Sequence, residues 1–235
     1  MGMKFEKDLL NFNGKRITPS VRTLAEMRSV LASPDKDDGM KPDFPLYFMY
    51  RGAAQFSSIR YDITRIVSAE ICGERNKTFG HVHPPATKGT TWSEVYEVLE
   101  GSAHFLLQKV NGLGVQDVVL LTGKKGDRLM VPPGYGHVTI NPGKTDLVLA
   151  NLVSDMFESD YSMYAQRRGA CFYETSDGKI IKNKNYGEDF ELRKDGAVKF
   201  SSAFGVYAPF AKKTLLEAAK DYANIEFLEK PELFY

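Results

Sequence analysis

The sequence predicts an all-β fold, with helices confined to the two ends of the chain. Between Leu46 and about Val153, short runs rich in Val, Ile, Tyr, Phe and Leu are separated by Gly, Pro and Asn, a spacing typical of strands and turns. No helical period of ten or more residues interrupts this region, which disfavours a parallel sheet with crossover helices. The predicted strands are PLYFMYRG, RYDITRIVSAEI, SEVYEVLEG, AHFLLQKV, DVVLLTG, RLMVPPG, HVTINPG and DLVLANLV.

Residues 1–45 are interpreted as an arm of helical and extended segments that precedes the predicted barrel. Within this arm, the segment from Pro19 to about Ser33 is predicted to form an amphipathic helix. Its apolar residues recur at helical spacing: Val21, Leu24, Met27, Val30 and Leu31. The segment from Ser33 to Gly39 then concentrates charge and helix-breaking residues, which predicts an exposed loop.

Residues 46–175 are predicted to form the barrel, and residues 176–235 to form an extension that packs on it within a single domain. A hairpin is predicted around Ser176-Asp177-Gly178, because Asp-Gly supplies turn chemistry. Further on, Ala211 to Ala223 is predicted to form a helix. The residues that share one face of this predicted helix are Leu215, Leu216, Ala219 and Tyr222.

Composition and charge narrow the class of protein. The 235 residues include 31 basic and 30 acidic side chains, for a formal net charge of +1, so the chain has no overall basic field for nucleic acid or an anionic membrane. Cys72 and Cys171 are far apart and form no C-x-x-C motif, which argues against a disulfide framework. Because there is no signal-peptide-like stretch and no apolar run of about 20 residues, we expect a cytoplasmic protein.

Three of the four histidines stand in patterns typical of metal ligands. His81-Val82-His83 places two imidazoles on one face of a strand, since alternate side chains point the same way. Farther along, the segment from Gly126 to Asn141 fits the pattern G-x5-P-x-G-x2-H-x3-N without a gap, with His137 at the histidine position. This segment is identified as the second conserved motif of the cupin superfamily. The fold that this implies is a cupin barrel, a double-stranded β-helix or jelly roll, with flanking N- and C-terminal helices.

The first cupin motif, G-x5-H-x-H-x3-4-E-x6-G, is matched in part. His81, His83 and Glu94 with Gly101 are present, but ten residues separate His83 from Glu94. The predicted metal ligands are therefore His81, His83, Glu94 and His137, a nitrogen and oxygen set suited to one divalent ion of Fe, Mn, Zn, Ni or Co.

Two neighbours of Glu94 on the same predicted strand are further candidates for the site. Glu97 is a competing ligand candidate, but on a regular strand it faces away from Glu94. Tyr96 shares the face of Glu94 and is predicted to line the cavity. The fourth histidine, His104, fits neither motif and is interpreted as an ordinary residue.

A wider resemblance covers about residues 18 to 175. The sequence resembles the archaeal-type cupin phosphoglucose isomerases in several segments that occur in the right order. These segments are SVRTLAEM from Ser20, YDIT from Tyr61, KTFGHVH from Lys77, SEVYEVLEG from Ser93, LLQ from Leu106, VPPGYGHVTIN from Val131, and Asp160-Tyr161. Residues beyond about Asn185 have no counterpart in this resemblance.

The resemblance implies an enzyme that interconverts D-glucose 6-phosphate and D-fructose 6-phosphate, acting as a cytoplasmic homodimer with one divalent metal per subunit. Hydrogen would move between C1 and C2 either as a proton through a cis-enediol or as a hydride. Glu94 is the candidate base for the proton route, with a purely structural ligand as the alternative. Tyr96 would relay a proton or orient a hydroxyl, with barrel packing as the alternative.

The resemblance also implies which residues meet the rest of the substrate. Thr64, Thr78 and Gly80 match positions near the phosphate group, where hydroxyl and backbone N–H donors suit a dianion. The two threonines are equally interpretable as strand formers. Tyr161 is expected to close the cavity, and buried tyrosine is also common in any core.

Two departures from the family pattern bear on substrate preference. Val153-Ser154 stands where a Tyr-Pro pair is frequent, and Glu158-Ser159 stands where Gly-His is frequent. Mannose 6-phosphate or another sugar phosphate is therefore a possible variation. Two other functions are left open at this point: a metal-dependent cupin oxygenase with the same ligands, and a non-catalytic sugar-phosphate-binding cupin.

Overall fold

The computed structural model describes residues 2–36, 39–86, 89–112 and 114–234, and its strands account for most of the regular structure. The strands in chain order are β1 Met3–Glu6, β2 Leu9–Phe12, β3 Lys15–Ile17, β4 Ser20–Thr23, β5 Pro45–Phe56, β6 Ile59–Ile66, β7 Glu70–Ile71, β8 Glu74–Arg75, β9 Glu94–Glu100, β10 Ser102–Asn111, β11 Gly114–Lys124, β12 Arg128–Val131, β13 Gly136–Ile140, β14 Leu147–Ser154, β15 Phe172–Glu174, β16 Ile180–Lys182 and β17 Arg193–Gly196.

The helices are short. The α-helices are α1 Leu24–Met27, α2 Ser162–Gln166, α3 Ala197–Ser201 and α4 Leu215–Ala218. Single 3-10 turns or short 3-10 helices occur at Arg28–Val30, Lys184–Tyr186, Gly205–Ala211, Tyr222–Asn224, Glu226–Leu228 and Pro231–Leu233. Among the residues described, no helix is both long enough and apolar enough to cross a membrane.

Two sheets form the barrel. One has the order β12-β9-β14-β6-β5-β4, and the other has the order β13-β10-β11-β17. The pairings within both are antiparallel apart from that of β11 with β17, which is parallel. A third sheet, β1-β2-β3, is formed by the chain's first residues. The predicted all-β cupin barrel with flanking helices is confirmed.

The six-stranded sheet is apolar on both faces, and the two faces contact different parts of the molecule. On β9, Tyr96 and Val98 belong to the core between the two barrel sheets. Val95 points the other way, into a second core that also contains Met130 of β12 and residues of the C-terminal extension. This alternation follows from the two-residue period of a strand. Because the C-terminal extension covers the outer face, the inner face can carry the polar side chains of a site.

Each predicted barrel strand overlaps an observed one, but the predicted helix from Pro19 to about Ser33 is too long at both ends, because only Leu24–Met27 is α-helical and the 3-10 turn after it ends at Val30. Ser20–Thr23 forms β4, which pairs with β5 at the edge of the large sheet. The helix begins only at Leu24, where the Glu26 carboxylate accepts a hydrogen bond from the Thr23 N–H at 2.8 Å and so caps the first turn. Pairing with a sheet edge has outweighed the helical spacing of the apolar residues. In the loop predicted next, Asp37 and Asp38 lie outside the described residues.

In the C-terminal region, the predicted hairpin is confirmed as β15 and β16. The predicted helix from Ala211 to Ala223 is too long, because α4 spans only Leu215–Ala218. Thr214 caps its start by accepting from the Glu217 N–H at 3.2 Å. Asp221 then caps a separate turn by accepting from Ala223 N–H, so the chain changes direction and Tyr222 is exposed.

The C-terminal extension packs against the outer face of the large sheet. Glu97 of β9 accepts hydrogen bonds from Arg128 at 3.0 Å and from the Leu215 N–H at 2.8 Å, so this outward carboxylate ties the sheet to α4. Phe210 and Phe227 are buried together beside it, with ring centroids 6.3 Å apart. The division into 1–45, 46–175 and 176–235 remains a prediction, and β4 and β17 show that both flanks add a strand to a barrel sheet.

Phe210→Ala tests whether the extension stabilises the barrel. Phe210 is fully buried, so its truncation is expected to lower the free energy of unfolding by about 3–5 kcal/mol. Urea unfolding followed by circular dichroism measures this loss. Val198→Ala is the matched control, because Val198 is 40 % exposed and should change stability by no more than about 0.5 kcal/mol. Equal losses in the two variants would show that the extension is only loosely attached.

Candidate metal centre and active-site cavity

The structure brings the four predicted ligands together. One ligand atom each from His81, His83, Glu94 and His137 lies within 4.8 Å of the others. His137 belongs to β13, and its N–H donates to the His81 carbonyl at 3.0 Å, which holds the two histidine segments side by side. Glu94 is the first residue of β9, in the opposite sheet. The ligands therefore converge only because the two sheets close on one another.

The ten-residue spacer between His83 and Glu94 does not prevent this convergence. Pro85 and Thr91 form an antiparallel bridge, and the Ala86 N–H donates to the Thr90 carbonyl at 2.7 Å. The spacer thus folds back on itself before β9 begins. The two ends of the spacer lie close together, because the Trp92 carbonyl is 3.0 Å from His83 Nδ1.

The hydrogen-bonding of His83 and Glu94 leaves one atom of each facing the cluster. His83 Nδ1 lies 3.0 Å from the Trp92 carbonyl, to which it can only donate, so Nε2 carries the free lone pair. Glu94 Oε1 accepts from Asn151 Nδ2 at 2.6 Å. Glu94 Oε2 lies 3.3 Å from both His83 Nε2 and His137 Nε2.

These atoms fit a metal ion. Among the described residues, His83 Nε2 and Glu94 Oε2 are buried without a hydrogen-bond partner. A buried polar atom without a hydrogen-bond partner costs about 1–3 kcal/mol, so most buried polar atoms in native proteins bind a partner, a water molecule or an ion. A divalent cation coordinated by three imidazole nitrogens and one carboxylate oxygen would satisfy them, and the Trp92 carbonyl, which accepts from Nδ1, orients the His83 ring for this purpose.

The protonation states also suit a cation. Burial, together with the neighbouring His137 and His83, holds the pKa of His81 well below its ordinary value, and burial lowers the pKa of His137 as well. Burial alone would raise the pKa of Glu94, but the adjacent imidazoles of His137 and His83 favour the ionised carboxylate more strongly, so the pKa lies well below the usual range. Neutral imidazoles and an ionised carboxylate are the forms that coordinate metals.

Tyr96 lies where the sequence predicts it, on the same face as Glu94. Its Oη is 3.1 Å from His137 Nε2. Burial and the Glu94 charge raise the pKa of Tyr96 well above its ordinary value, so the phenol keeps its proton at neutral pH. Glu97 faces the outer side, bound to Arg128, and is not part of the cluster. His104 is also elsewhere, 2.7 Å from the Glu174 carboxylate.

A cavity of about 440 Å³ opens beside the cluster, and the predicted substrate-contact residues line it. These are Thr64, Thr78, Gly80, Tyr96 and Tyr161, together with the ligands His81, Glu94 and His137. The Tyr161 ring lies 5.5 Å from the His81 ring and 5.6 Å from the Phe79 ring, measured between centroids. The predicted phosphate contacts and the metal ligands therefore share one cavity.

Gly80 is required by the backbone at the cavity wall. Its φ is +88°, and a Cβ at this position would lie 2.4 Å from Tyr164 Cδ1 and 2.6 Å from Val138 Cγ2. No other residue fits there without moving the core. Glycine therefore lets the main chain at the cavity wall pack directly against Tyr164 and Val138 of the core.

Four polar side chains that sequence reasoning missed also line the cavity: Arg51, Arg60, Asp62 and Asn151. A signal for two of them was available, because Arg60 and Asp62 share the parity of Thr64 on strand β6 and so its face. Asn151 was visible as the polar interruption of the apolar run from Leu147 to Val153. Nothing in the sequence marked Arg51, which follows a register shift in β5.

The barrel and its four convergent side chains define a cupin with a candidate metal centre inside it. A family model described as glucose-6-phosphate isomerase (GPI) matches residues 49–191, more than half of the chain, and the chain therefore belongs to that family. A curated relative, the glucose-6-phosphate isomerase of Thermococcus litoralis, is 22% identical over 188 residues, covering 78% of this chain and 92% of the relative. The resemblance to archaeal-type cupin phosphoglucose isomerases is thus confirmed.

Solved structures that resemble part of the chain include other cupins. Oxalate decarboxylase of Bacillus subtilis shares 18% identity over 48% of this chain and 26% of its own, with a TM-score of 0.36. A cupin-2 domain protein of Shewanella frigidimarina shares 14% identity over 44% of this chain and 78% of its own, with a TM-score of 0.31.

Cobalt binding tests the metal centre without any assay of activity. Adding Co²⁺ to metal-free protein at a hundred times its Kd should stabilise the fold by about 2.7 kcal/mol, or raise the melting temperature by roughly 5–10 °C. His137→Ala should abolish this shift, measured by differential scanning fluorimetry. His104→Ala, at a histidine outside the cluster, should keep it. A cobalt shift that survives His137→Ala would place the ion elsewhere.

Proposed function

We propose that the protein is a metal-dependent aldose-ketose isomerase that interconverts D-glucose 6-phosphate and D-fructose 6-phosphate. The observation that carries this proposal is one cavity that joins the His81, His83, Glu94 and His137 cluster to the threonines expected near a phosphate. The chain's membership of the glucose-6-phosphate isomerase family supports the same reaction. The homodimer and the cytoplasmic location implied by the resemblance belong to this proposal.

The proposed cofactor is one divalent ion of Fe, Mn, Zn, Ni or Co, held by those four side chains. When bound, the ion would act as a Lewis acid toward the hydroxyl and carbonyl oxygens at C1 and C2 of the sugar. All other contacts with the substrate are assigned to side chains and backbone groups of the protein.

Glu94 is the proposed general base for a proton route. It would take the proton from C2 of the aldose and return it to C1, while the hydroxyl proton passes between O2 and O1. Asn151 holds Glu94 Oε1 at 2.6 Å, which fixes the carboxylate plane against the cavity. The low pKa of Glu94 keeps the carboxylate ionised at neutral pH, so it can accept a proton. A hydride route would need no base, and Glu94 would then serve as a ligand only.

Tyr96 is the proposed partner for the oxygen atoms. Its phenol remains protonated, and its Oη lies on the cavity side of β9, two residues from Glu94. A neutral phenol can donate to an oxygen on which negative charge develops and can pass a proton between O1 and O2. The alternative, a packing role only, predicts that loss of the hydroxyl leaves turnover unchanged.

The phosphate end is assigned to Thr64, Thr78 and the backbone around Gly80. The Thr78 hydroxyl oxygen already accepts from the Thr139 N–H at 3.0 Å, and an accepting hydroxyl still has its own hydrogen to donate. Hydroxyl and backbone donors suit a phosphate dianion without a cation. Tyr161 lines the cavity beside Phe79 and is assigned to its closure.

Turnover is the direct test of the assignment. Metal-loaded protein should form fructose 6-phosphate from glucose 6-phosphate in a coupled assay. Glu94→Gln should lower kcat by about 10²–10⁴-fold, the usual contribution of a positioned base. His104→Ala should leave kcat unchanged, because His104 is outside the cavity. Metal-loaded protein that turns over neither hexose phosphate would refute the assignment, and oxygen uptake would instead indicate an oxygenase.

Tyr96→Phe separates the relay from the packing role. Because only the hydroxyl is removed, kcat should fall by about 10²-fold or more, while KM changes little. Steady-state kinetics with glucose 6-phosphate measures both. Tyr186→Phe is the matched control, since the Tyr186 hydroxyl is buried against the Gly169 carbonyl at 2.9 Å, away from the cavity. Equal kcat values for Tyr96→Phe and the unmodified protein would assign Tyr96 to packing.

A further inference from the structure

One wall of the cavity carries a charged pair that neither the metal cluster nor the phosphate end uses. Arg60 and Asp62 lie on β6, in the sheet opposite His137, and both line the cavity. Asp62 is 6 % exposed. Burying charges in a protein interior costs free energy unless they are paired and hydrogen-bonded, so the pair needs an explanation.

Strand register places this pair beside the proposed reacting groups. β14 lies between β6 and β9, and it pairs Val153 with Arg60 on one side and with Glu94 on the other. Two residues earlier in β14, Asn151 pairs with Asp62 on one side and with Tyr96 on the other. Neighbouring strands are about 4.8 Å apart, so the pair lies about 10 Å from the Glu94 and Tyr96 backbones, on the same face of the sheet.

The geometry of the pair fixes Asp62 and directs Arg60 into the cavity. Asp62 accepts from the Gly52 N–H at 2.7 Å and from Arg60 Nε at 3.2–3.3 Å. Arg60 Nη2 lies 3.1 Å from Asp62 Oδ2, which makes the contact side-on. The Arg60 side chain is 29% exposed and that of Asp62 only 9%, so the carboxylate is the anchored end and the guanidinium is the end that reaches the open space.

We propose that Arg60, held by Asp62, binds hydroxyl groups of the sugar and so determines which hexose phosphates fit the cavity. This inference rests on the proposed function, because it assumes a sugar phosphate lying between the metal cluster and Thr64. The carboxylate neutralises the guanidinium, so the pair offers N–H donors without requiring an anion. Neutral hydroxyl oxygens suit such donors better than a second phosphate does. Val153, the residue between Arg60 and Glu94, contributes no polar atom there.

A purely structural role for the pair makes a different prediction. Asp62 alone, through the Gly52 N–H, already stabilises the register shift in β5. If Arg60 served only to neutralise Asp62, its replacement would lower thermal stability and leave ligand preference unchanged. If Arg60 binds hydroxyls, its replacement weakens the binding of the sugar and spares the binding of phosphate.

Isothermal titration calorimetry with two ligands separates these roles. Inorganic phosphate probes the phosphate end alone, and glucose 6-phosphate probes both ends of the cavity. In metal-loaded protein, Arg60→Gln should raise the Kd for glucose 6-phosphate by about tenfold or more, as expected for loss of a hydrogen bond from a charged donor. The Kd for inorganic phosphate should stay within about twofold of its original value.

Arg65→Gln is the matched control, because Arg65 is on the same strand but faces the outer side, over the Phe48 ring and near Asp146. It should leave both Kd values unchanged. Arg60→Lys keeps the charge and removes the planar fork, so it should lose most of the affinity that Arg60→Gln loses. Unchanged glucose 6-phosphate affinity in Arg60→Gln, or equal losses for both ligands, would overturn the proposal.

Deoxy analogues provide a second readout. Glucose 6-phosphate lacking the 3- or 4-hydroxyl should bind more weakly to the unmodified protein, and for at least one of them Arg60→Gln should abolish that penalty. Identical penalties in both proteins would contradict hydroxyl binding by Arg60. Arg60-dependent binding without turnover would remove the proposed isomerase function and leave this assignment standing.

Discussion

The site depends on one constraint: both sheets must close before the four candidate metal ligands meet. Glu94 belongs to the six-stranded sheet and His137 to the four-stranded sheet, yet the Glu94 Oε2 lies 3.3 Å from the His137 Nε2. A buried carboxylate and a set of buried imidazoles are costly on their own. They become favourable when each is oriented by a partner, as Trp92 orients His83 and Asn151 orients Glu94. The barrel core therefore determines the chemistry of the cavity.

Strand β9 connects this chemistry with stability. Its inner side presents Glu94 and Tyr96 to the cavity, and its outer side presents Val95 and Glu97 to the C-terminal extension. The extension covers an apolar face that would otherwise be open to water. Because β9 contacts both the cavity and the extension, packing against the extension stabilises the strand that carries Glu94 and Tyr96.

The cavity is lined by three kinds of polar group. Thr78 and the backbone at Gly80 offer uncharged hydrogen-bond donors. The candidate metal cluster presents the imidazoles of His81 and His137 and the carboxylate of Glu94. On the wall of β6, the Arg60 and Asp62 pair adds charged groups that compensate each other.

The sequence by itself determined the barrel strands, the four candidate ligands and the inward direction of Tyr96, because alternation along a strand is a local property. Only the tertiary structure decided that Ser20–Thr23 is an edge strand and not the start of a helix, since the partner strand β5 is distant in sequence. It also decided that the ten-residue spacer still delivers Glu94 to the histidines, and that Arg60 lies on the cavity wall. Such outcomes depend on which strands become neighbours, and strand neighbours are set by the packing of the whole chain.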